Sequence, residues 1–353
     1  MTRTIRVAIT QMDVKPAPTG DRLERADRLV SEVEPFGIDL VVLPELFNSG
    51  YVYSDDNFRR AETIDGPTIH WMKITARQMH MHLAGSILLQ EGSDIYNAML
   101  IVAPDGRLWR YHKSYPWGWE NGYCVPNRAV GDQRTVIAET DLGDLGMMVC
   151  WDIAHPDLWR AYAGRADMMV ICSSPPQFSR AVFSFPNGRT LSLDEAGPLL
   201  GQVKGAEAAV FEDMISQQTA WLQIPAACSA GAGRFESSVP QGRAFMLSML
   251  PAAPWLAGCW GQADQIKMTA NMSPACRTIS ADGKVLAHLP QSKGESFTVA
   301  EVSLPHKKQA PLASQPGFRA PWMSYLISDA ILPRMVRPLY RKARDSILKM
   351  DAN

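Results

Sequence analysis

Apolar runs of strand length alternate along the chain with longer segments of helical periodicity. Residues 5–11 form the first apolar run, and residues 22–34 follow as a charged segment whose apolar positions recur every three to four residues. Residues 39–44 and 145–150 are two further apolar runs, and the proline that opens residues 156–163 favours the start of a helix there. This alternation predicts a layered α/β fold.

Two turn motifs predict β-hairpins. Residues 96–103 and 108–112 are apolar runs that flank the sequence Pro-Asp-Gly at 104–106, which is typical of a tight turn. The sequence SADG at 280–283 has the same turn chemistry and precedes a short run at 284–288. We therefore expect a second hairpin near the end of the sheet region.

Two parts of the chain depart from this pattern. Residues 178–205 are rich in Pro, Gly and Ser and are too long for an ordinary connection, so we expect an irregular segment that covers a binding site. Residues 317–353 leave the sheet pattern altogether. The predicted organisation is a main domain over 1–316, with the irregular insertion at about 178–205, and a C-terminal helical tail over 317–353.

The composition narrows the class of protein. The chain has 353 residues, of which 46% are hydrophobic, and its formal net charge is −1, so nothing in the overall charge favours nucleic acid as a partner. The sequence MTRTIRVAITQMDV lacks the long apolar segment of a secretory signal, and no run reaches the ~18 residues of a membrane span. These features predict a cytoplasmic protein.

The cysteines and histidines argue against disulfides and metals. Six cysteines are scattered without a CxxC pair, which favours reduced thiols. His80 and His82 lack a matching second pair of ligands, so we expect no metal site.

Three ionisable side chains stand at or just after the ends of apolar runs: Glu45, Lys113 and Cys150. A single buried cysteine is usually part of the core, because free cysteine packs as a small hydrophobe. A nucleophilic thiolate, however, needs a base to take its proton and a nearby cation, and a glutamate and a lysine supply both. Ligands gather at the carboxyl ends of strands in layered α/β folds, so the three side chains can share one pocket.

Three sequence blocks carry a more specific resemblance. They are DLVVLPELFNSGY around Glu45, YNAMLIVAPDGRLWRYHKSYPW around Lys113, and GDLGMMVCWDIAHPDLWRAYAGRADMMVICSSP around Cys150. In order and spacing they resemble the Glu-Lys-Cys triad of the nitrilase superfamily, the carbon-nitrogen hydrolases, with its amidase-like branch the better match. The similarity runs from residue 5 to about 176, and a weaker similarity extends over 277–305.

The resemblance implies a fold, a mechanism and a state of assembly. The fold is a cofactor-free four-layer αββα sandwich that pairs into a homodimer or higher homo-oligomer. By this resemblance Glu45 is the general base, Cys150 attacks an amide or nitrile carbon to form a thioester, and Lys113 stabilises the oxyanion. The backbone N–H of Trp151 is the second oxyanion donor. Asp152 is expected to hold the turn after the nucleophile through backbone hydrogen bonds.

Further candidates lie in the loops around these blocks. The sequence KSYPWGWENG resembles the aliphatic amidases, in which a second glutamate, here Glu120, positions the substrate amide and helps to move the proton; the alternative is a carboxylate on a surface loop. The sequence also offers four candidates for the pocket wall, each of which could instead be a packed aromatic residue or a turn proline: Tyr51, Trp117, Trp119 and Pro176.

The sequence motifs favour one substrate class and leave several alternatives. Cys-Trp-Asp and Pro-Trp-Gly-Trp-Glu favour an amide over a nitrile, but nitrile hydrolysis, hydrolysis of N-carbamoyl amines or acids, and acyl transfer to an amine use the same triad. A catalytically silent oligomerising scaffold is the non-enzymatic alternative. Arg180 or Arg189 in the insertion could meet a carboxylate or phosphate of the substrate, although solvated loop arginines are the commoner case.

The tail has two interpretations. Residues 322–350 combine large apolar residues with clustered arginines and lysines, which is typical of a helix at a membrane surface. Apolar stripes more often meet protein than lipid, so packing across an oligomer interface is the favoured interpretation and peripheral membrane contact is the alternative.

Overall fold

The computed structural model describes residues 3–195 and 201–351. Its strands are β1 Arg3–Asp13, β2 Leu40–Val42, β3 His82–Glu91, β4 Asp94–Val102, β5 Leu108–His112, β6 Ile137–Thr140, β7 Gly143–Val149, β8 Met168–Ser173, β9 Val182–Ser184, β10 Thr190–Ser192, β11 Ala226–Ala232, β12 Arg234–Ser238, β13 Lys267–Asn271, β14 Arg277–Ile279, β15 Val285–His288 and β16 Ser296–Leu304. Its α-helices are α1 Thr19–Val33, α2 Asp56–Arg60, α3 Pro67–Gln78, α4 Pro156–Tyr162, α5 Ala206–Ala208, α6 Ile215–Leu222, α7 Gly242–Met249, α8 Trp322–Tyr325 and α9 Leu332–Asp351.

Shorter helical pieces complete these elements. The π-helical segments Ala209–Met214 and Leu326–Ile331 join α5 to α6 and α8 to α9. The 3₁₀ segments are Glu34–Phe36, Gly118–Gly122, Gly131–Arg134, Cys150–Ala154, Phe178–Arg180, Pro254–Gln265 and Gln291–Lys293.

The main sheet folds back on itself to make the two inner layers of a sandwich. Its strands run in the order β5-β4-β3-β2-β1-β11-β8-β7-β6, with β16 paired to β1 and the β14-β15 hairpin on β11. Strand β3 packs face to face on β8, and β4 on β7, so the two halves joined at β1 cover one another. The apolar inner faces of both halves form a single core. Both hairpins predicted from the turn sequences are present.

Helices cover the two outer faces. Helices α1 and α3 bury their apolar sides on the half that contains β2 and β3. Helices α4 and α6 pack on the half that contains β7 and β8, where Trp159 and Tyr162 are fully buried. The predicted αββα sandwich is confirmed.

A second sheet occupies part of the region expected to be irregular. Strands β9 and β10 form a hairpin inside 178–195, and β9 also pairs with β13, so the order of this sheet is β10-β9-β13-β12. Strands β9 and β10 are three residues long, which is too short for a periodic pattern to be read. The prediction of an irregular insertion was wrong for this hairpin, and residues 196–200 of the predicted segment lie outside the described residues.

The C-terminal tail packs on its own chain. Val336 and Tyr340 of α9 are buried, and the Tyr340 hydroxyl donates to Asp94 Oδ1 at 3.1 Å and accepts the backbone N–H of Ile95 at 3.1 Å. Within the described ranges, no helix combines the length and the hydropathy that crossing a membrane requires. Contact of the tail with a second copy or with a membrane surface stays a prediction.

Candidate active site

The topology brings the ends of β2, β5 and β7 to one edge of the sandwich. Strands β2 and β7 are parallel to their neighbours β1 and β8, and β5 runs in the same direction as β3 because both are antiparallel to β4. Glu45 follows β2, Lys113 follows β5, and Cys150 follows β7. The structure therefore places the three side chains at the carboxyl ends of strands, as the sequence predicted.

Lys113 lies between two carboxylates in the protein interior. Its Nζ is 2.7 Å from Glu45 Oε1 and 2.6 Å from Glu120 Oε2, and all three side chains are at most 1% exposed. Burial by itself lowers the pKa of Lys113, but the attraction of Glu120 and Glu45 outweighs it and raises the pKa well above its ordinary value. The lysine is held as a fully buried cation.

Asn97 fixes the orientation of Glu45. Its Nδ2 donates to Glu45 Oε1 at 2.8 Å, and its Oδ1 accepts from the Ser86 hydroxyl at 3.0 Å. Glu45 Oε2 is buried with no hydrogen-bond partner in the described structure. One oxygen of Glu45 is thus saturated with donors while the other is free. Asn97 was not predicted from the sequence, where its signal is an amide in the apolar run YNAMLIVA.

Cys150 has a strained backbone at the end of β7. Its φ of 50° lies in the left-handed region, which is uncommon for a residue with a side chain and is concentrated at functional sites. Burial raises the pKa of its thiol well above the ordinary value; the charge of Glu45 adds to the rise, and Lys113 opposes it. The thiol is therefore protonated near neutral pH until a base removes its proton.

Asp152 holds the turn that carries Cys150. It is fully buried and accepts the backbone N–H groups of Val149 at 3.0 Å and Tyr115 at 2.8 Å, and the hydroxyl of Tyr111 at 2.8 Å. The prediction of backbone hydrogen bonds from this residue is confirmed. Burial raises the pKa of Asp152 to about 6.

Glu120 is buried at the centre of a set of donors. Besides Lys113, its Oε2 accepts the backbone N–H of Trp117 at 2.7 Å, and its Oε1 accepts the hydroxyl of Tyr51 at 3.0 Å. Burial raises the pKa of Glu120 to about 7; Lys113 opposes the rise and Glu45 reinforces it. The alternative of a carboxylate on a surface loop was wrong, since Glu120 is 1% exposed.

A pocket of about 620 Å³, including the space open to solvent at its mouth, is lined in part by Cys150. Three of the four residues predicted for its wall line it: Tyr51, Trp117 and Pro176. Trp119 is different, because it lines a smaller cavity behind Tyr51 and Trp117. Its indole lies 5.8 Å from that of Trp117, measured between ring centroids, so it supports the wall from behind.

The C-terminal tail supplies one wall of this pocket. Ile327, Ser328 and Leu332 line it from the segment after α8. Leu332 also packs on the loop of Glu120, where a Cβ added to Gly118 would lie 2.6 Å from Leu332 Cδ1. From the sequence, the tail was expected at an oligomer interface or a membrane surface and not in the site.

Asp329 connects the tail to the residue after Cys150. Its Oδ1 accepts the indole N–H of Trp151 at 2.8 Å, and its Oδ2 is 3.5 Å from Nε2 of His155. Burial raises the pKa of Asp329 to about 6 and lowers that of His155 to about 3, so the imidazole is neutral near neutral pH. Tyr325 completes the cluster by donating from its hydroxyl to the carbonyl of Ala154 at 2.8 Å.

The other cysteines lie away from the pocket lining. All six are free and buried. Cys124, near Glu120 in sequence, is 1% exposed. Cys172 is fully buried on β8 and is paired in register with Val149, so it belongs to the core.

Comparison with known proteins identifies the family. Residues 6–216 match the family model described as carbon-nitrogen hydrolase, which includes Glu45, Lys113, Glu120 and Cys150. A nitrilase of Pyrococcus abyssi is 27% identical over 162 residues, which cover 45% of this chain and 60% of that protein. An omega-amidase of Danio rerio is 29% identical over 176 residues, which cover 47% and 61%. The chain thus spans about 60% of the length of these two relatives.

Solved structures share the fold. A carbon-nitrogen hydrolase superfamily protein from Xanthomonas campestris superposes with a TM-score of 0.60, covering 85% of this chain and 91% of that one at 16% identity. A variant of an amidase from Nesterenkonia sp. AN1 in complex with butyramide gives 0.59, covering 84% and 90% at the same identity. On the match of the family model and the shared fold, the chain belongs to the carbon-nitrogen hydrolase family.

Proposed function

We propose that this protein hydrolyses a non-peptide carbon-nitrogen bond, that of an amide, through a thioester on Cys150. The observation that carries the proposal is the buried Lys113, which binds Glu45 and Glu120 close to Cys150, a residue of the pocket lining. A scaffold without activity has no need to bury one cation and two carboxylates, since burial of charge costs several kcal/mol per ion.

Glu45 is the general base of this mechanism. Its Oε1 is held by Lys113 and Asn97, which leaves the buried and unpartnered Oε2 to take the thiol proton of Cys150. The sulfur then attacks the carbonyl carbon of the amide and the carbonyl oxygen becomes an oxyanion. The raised pKa of the thiol makes this base necessary near neutral pH.

Lys113 and the backbone N–H of Trp151 stabilise the oxyanion. The ammonium group has three N–H donors, of which Glu45 and Glu120 use two, and the third serves the developing charge. Preorganised donors of this kind contribute about 3 kcal/mol each to the transition state. Asp152 fixes the turn from which the Trp151 amide points.

The remaining steps release the amine and then the acid. Glu45 returns its proton to the leaving nitrogen, the carbon-nitrogen bond breaks, and the acyl group stays on Cys150 as a thioester. Glu45 next deprotonates a water molecule, which attacks the thioester, and the thiolate leaves and recovers the proton from Glu45. Glu120 positions the amide through its bonds to Lys113 and Tyr51. The chemistry needs no cofactor or metal.

Product analysis on a matched panel tests this function against its alternatives. The panel contains one alkyl group as its primary amide, its nitrile and its N-carbamoyl amine, with and without added methylamine as an acyl acceptor. We expect ammonia and the free acid from the amide at the highest rate. A faster nitrile or carbamoyl reaction, or an N-methyl amide as the main product with methylamine present, would replace the amidase assignment.

A further inference from the structure

The pocket above Cys150 has an almost entirely apolar lining. Aromatic and aliphatic side chains reach it from four parts of the chain: Trp117, Phe178, Val203, Phe211, Ile327 and Leu332. Among the residues that the structure describes, the other polar side chains around it, apart from Cys150 and Tyr51, are Glu207, Ser324 and Ser328. The hydroxyl of Tyr51 is already bonded to Glu120. A ligand in this pocket therefore gains mainly from burial of apolar surface.

The charge at the pocket is negative. Among the lining residues that the structure describes, none is an arginine, a lysine or a histidine, and Glu207 is the one with a carboxylate. Glu207 Oε1 accepts the backbone N–H of Ser179 at 2.7 Å, which fixes the carboxylate at the wall. A carboxylate on the acyl chain of a substrate would lose its hydration in this pocket without gaining a cationic partner. It would also be repelled by the carboxylate of Glu207.

The two arginines of the insertion do not offset the negative charge at the pocket. The guanidinium of Arg189 stacks on Trp255, 4.1 Å from the ring centroid. Arg180 is exposed and lines a separate cavity on the other side of Glu207. The idea that either one binds a substrate carboxylate in this pocket therefore has no support in the arrangement of the described residues.

We propose that the pocket selects amides whose acyl group is apolar and carries no negative charge, with the tail residues Ile327 and Leu332 forming the wall that contacts the acyl chain. This inference rests on the proposed function, because it takes Cys150 as the atom that receives the acyl group. Omega-carboxylated amides are excluded by Glu207 and by the absence of a described cation at the lining.

Two isosteric amides test the proposal. 5-Methylhexanamide and glutaramate have the same chain, which ends in an isopropyl group in one and a carboxylate in the other. We expect kcat/KM for 5-methylhexanamide to exceed that for glutaramate at least about 100-fold, because an unpaired charge must be buried in the second case. A rate for glutaramate equal to or above that of its isostere overturns the proposal.

Variants assign the effect to the named residues. Glu207→Gln keeps an acceptor for Ser179 but removes the charge, so the ratio between the two amides should fall at least about fivefold. Leu332→Ala and Ile327→Ala should each lower the preference for 5-methylhexanamide over propionamide about tenfold, which is the usual effect of lost apolar contacts. Unchanged ratios in all three variants contradict the assignment of the walls.

A binding measurement separates this inference from the proposed function. Titration calorimetry of the Cys150→Ala variant with both amides measures their affinity for the pocket in the absence of the reaction. If wild type releases no ammonia from any amide while the variant still prefers 5-methylhexanamide, the proposed function fails and the ligand class holds. If the variant binds glutaramate as tightly as its isostere, or binds neither amide, the ligand class fails.

Discussion

Asp329 accepts a hydrogen bond from the indole of Trp151 at 2.8 Å, which ties the C-terminal tail to the residue that follows Cys150. The two residues are 178 positions apart in sequence. The same carboxylate faces the neutral imidazole of His155, which stacks on Tyr115 with ring centroids 3.4 Å apart. The tail thereby helps to support the turn that carries Cys150.

Removal of this acceptor should slow the reaction without unfolding the protein. We expect Asp329→Ala to lower kcat about tenfold, because a hydrogen bond to a charged group is worth about 1.5–3 kcal/mol and orients the turn. Asp329→Asn keeps an oxygen acceptor and should recover most of the rate. The checks are kcat and KM for both variants; equal rates in Asp329→Ala and wild type would show that the contact is only structural.

Glu45→Gln should slow alkylation of Cys150 by iodoacetamide near neutral pH. The thiol pKa is raised by burial, so the thiolate forms only when a base accepts the proton, and glutamine cannot do so. We expect at least a tenfold lower rate at pH 7. The double variant Glu45→Gln/Cys150→Ala gives the background from the other thiols, and an unchanged rate would remove Glu45 as the base.

Lys113 should be required for stability as well as for turnover. Lys113→Met leaves Glu45 and Glu120 buried and unpaired, so we expect a loss of about 3–5 kcal/mol in the free energy of unfolding. The triple variant Glu45→Gln/Lys113→Met/Glu120→Gln removes all three charges and should recover most of the stability but no activity. Urea denaturation measures the stability of both variants, and an amide-hydrolysis assay measures their activity. A Lys113→Met variant as stable as wild type would contradict the buried ion cluster.

Glu120 should make kcat/KM depend on pH, with a decrease on the acidic side of about pH 7. Its ionised form accepts hydrogen bonds from Lys113, Trp117 and Tyr51, and protonation weakens the bond to Lys113, so kcat/KM should fall as the pH drops below about 7. Glu120→Gln should show a lower plateau without this decrease. A wild-type profile that is flat between pH 5.5 and 8 would contradict the assignment.

The same group affects stability in the opposite direction. The folded-state pKa of Glu120 lies above that of an unfolded chain, so folding takes up a proton between about 4.5 and 7. Its contribution to the free energy of unfolding is therefore largest below the unfolded pKa and is lost as the pH rises through about 7. Glu120→Gln should flatten this part of the stability curve.

The sequence predicted what depends on local pattern. The strands before Glu45, Lys113 and Cys150 are apolar runs that end abruptly, and because they run in the same direction their carboxyl ends lie at one edge. Contacts that join distant segments were not predictable in this way. Asp329 meets Trp151 through tertiary packing alone, and the three-residue strand β9 is stabilised by β13, more than 80 residues later. Asn97 stands out in the sequence as an amide inside an apolar strand. Its role could be assigned only once the structure showed that it donates to Glu45.

Intact-mass analysis of the acyl-enzyme tests the central claim most directly. Wild-type protein mixed with 5-methylhexanamide and quenched in acid within the first turnovers should gain the mass of one acyl group, and peptide mapping should place it on Cys150. Cys150→Ala should show no adduct and lose at least about 10⁴-fold in turnover, while Cys172→Ala, which removes the buried thiol on β8, should form the adduct. An adduct on another residue, or hydrolysis that persists in Cys150→Ala, would contradict the account.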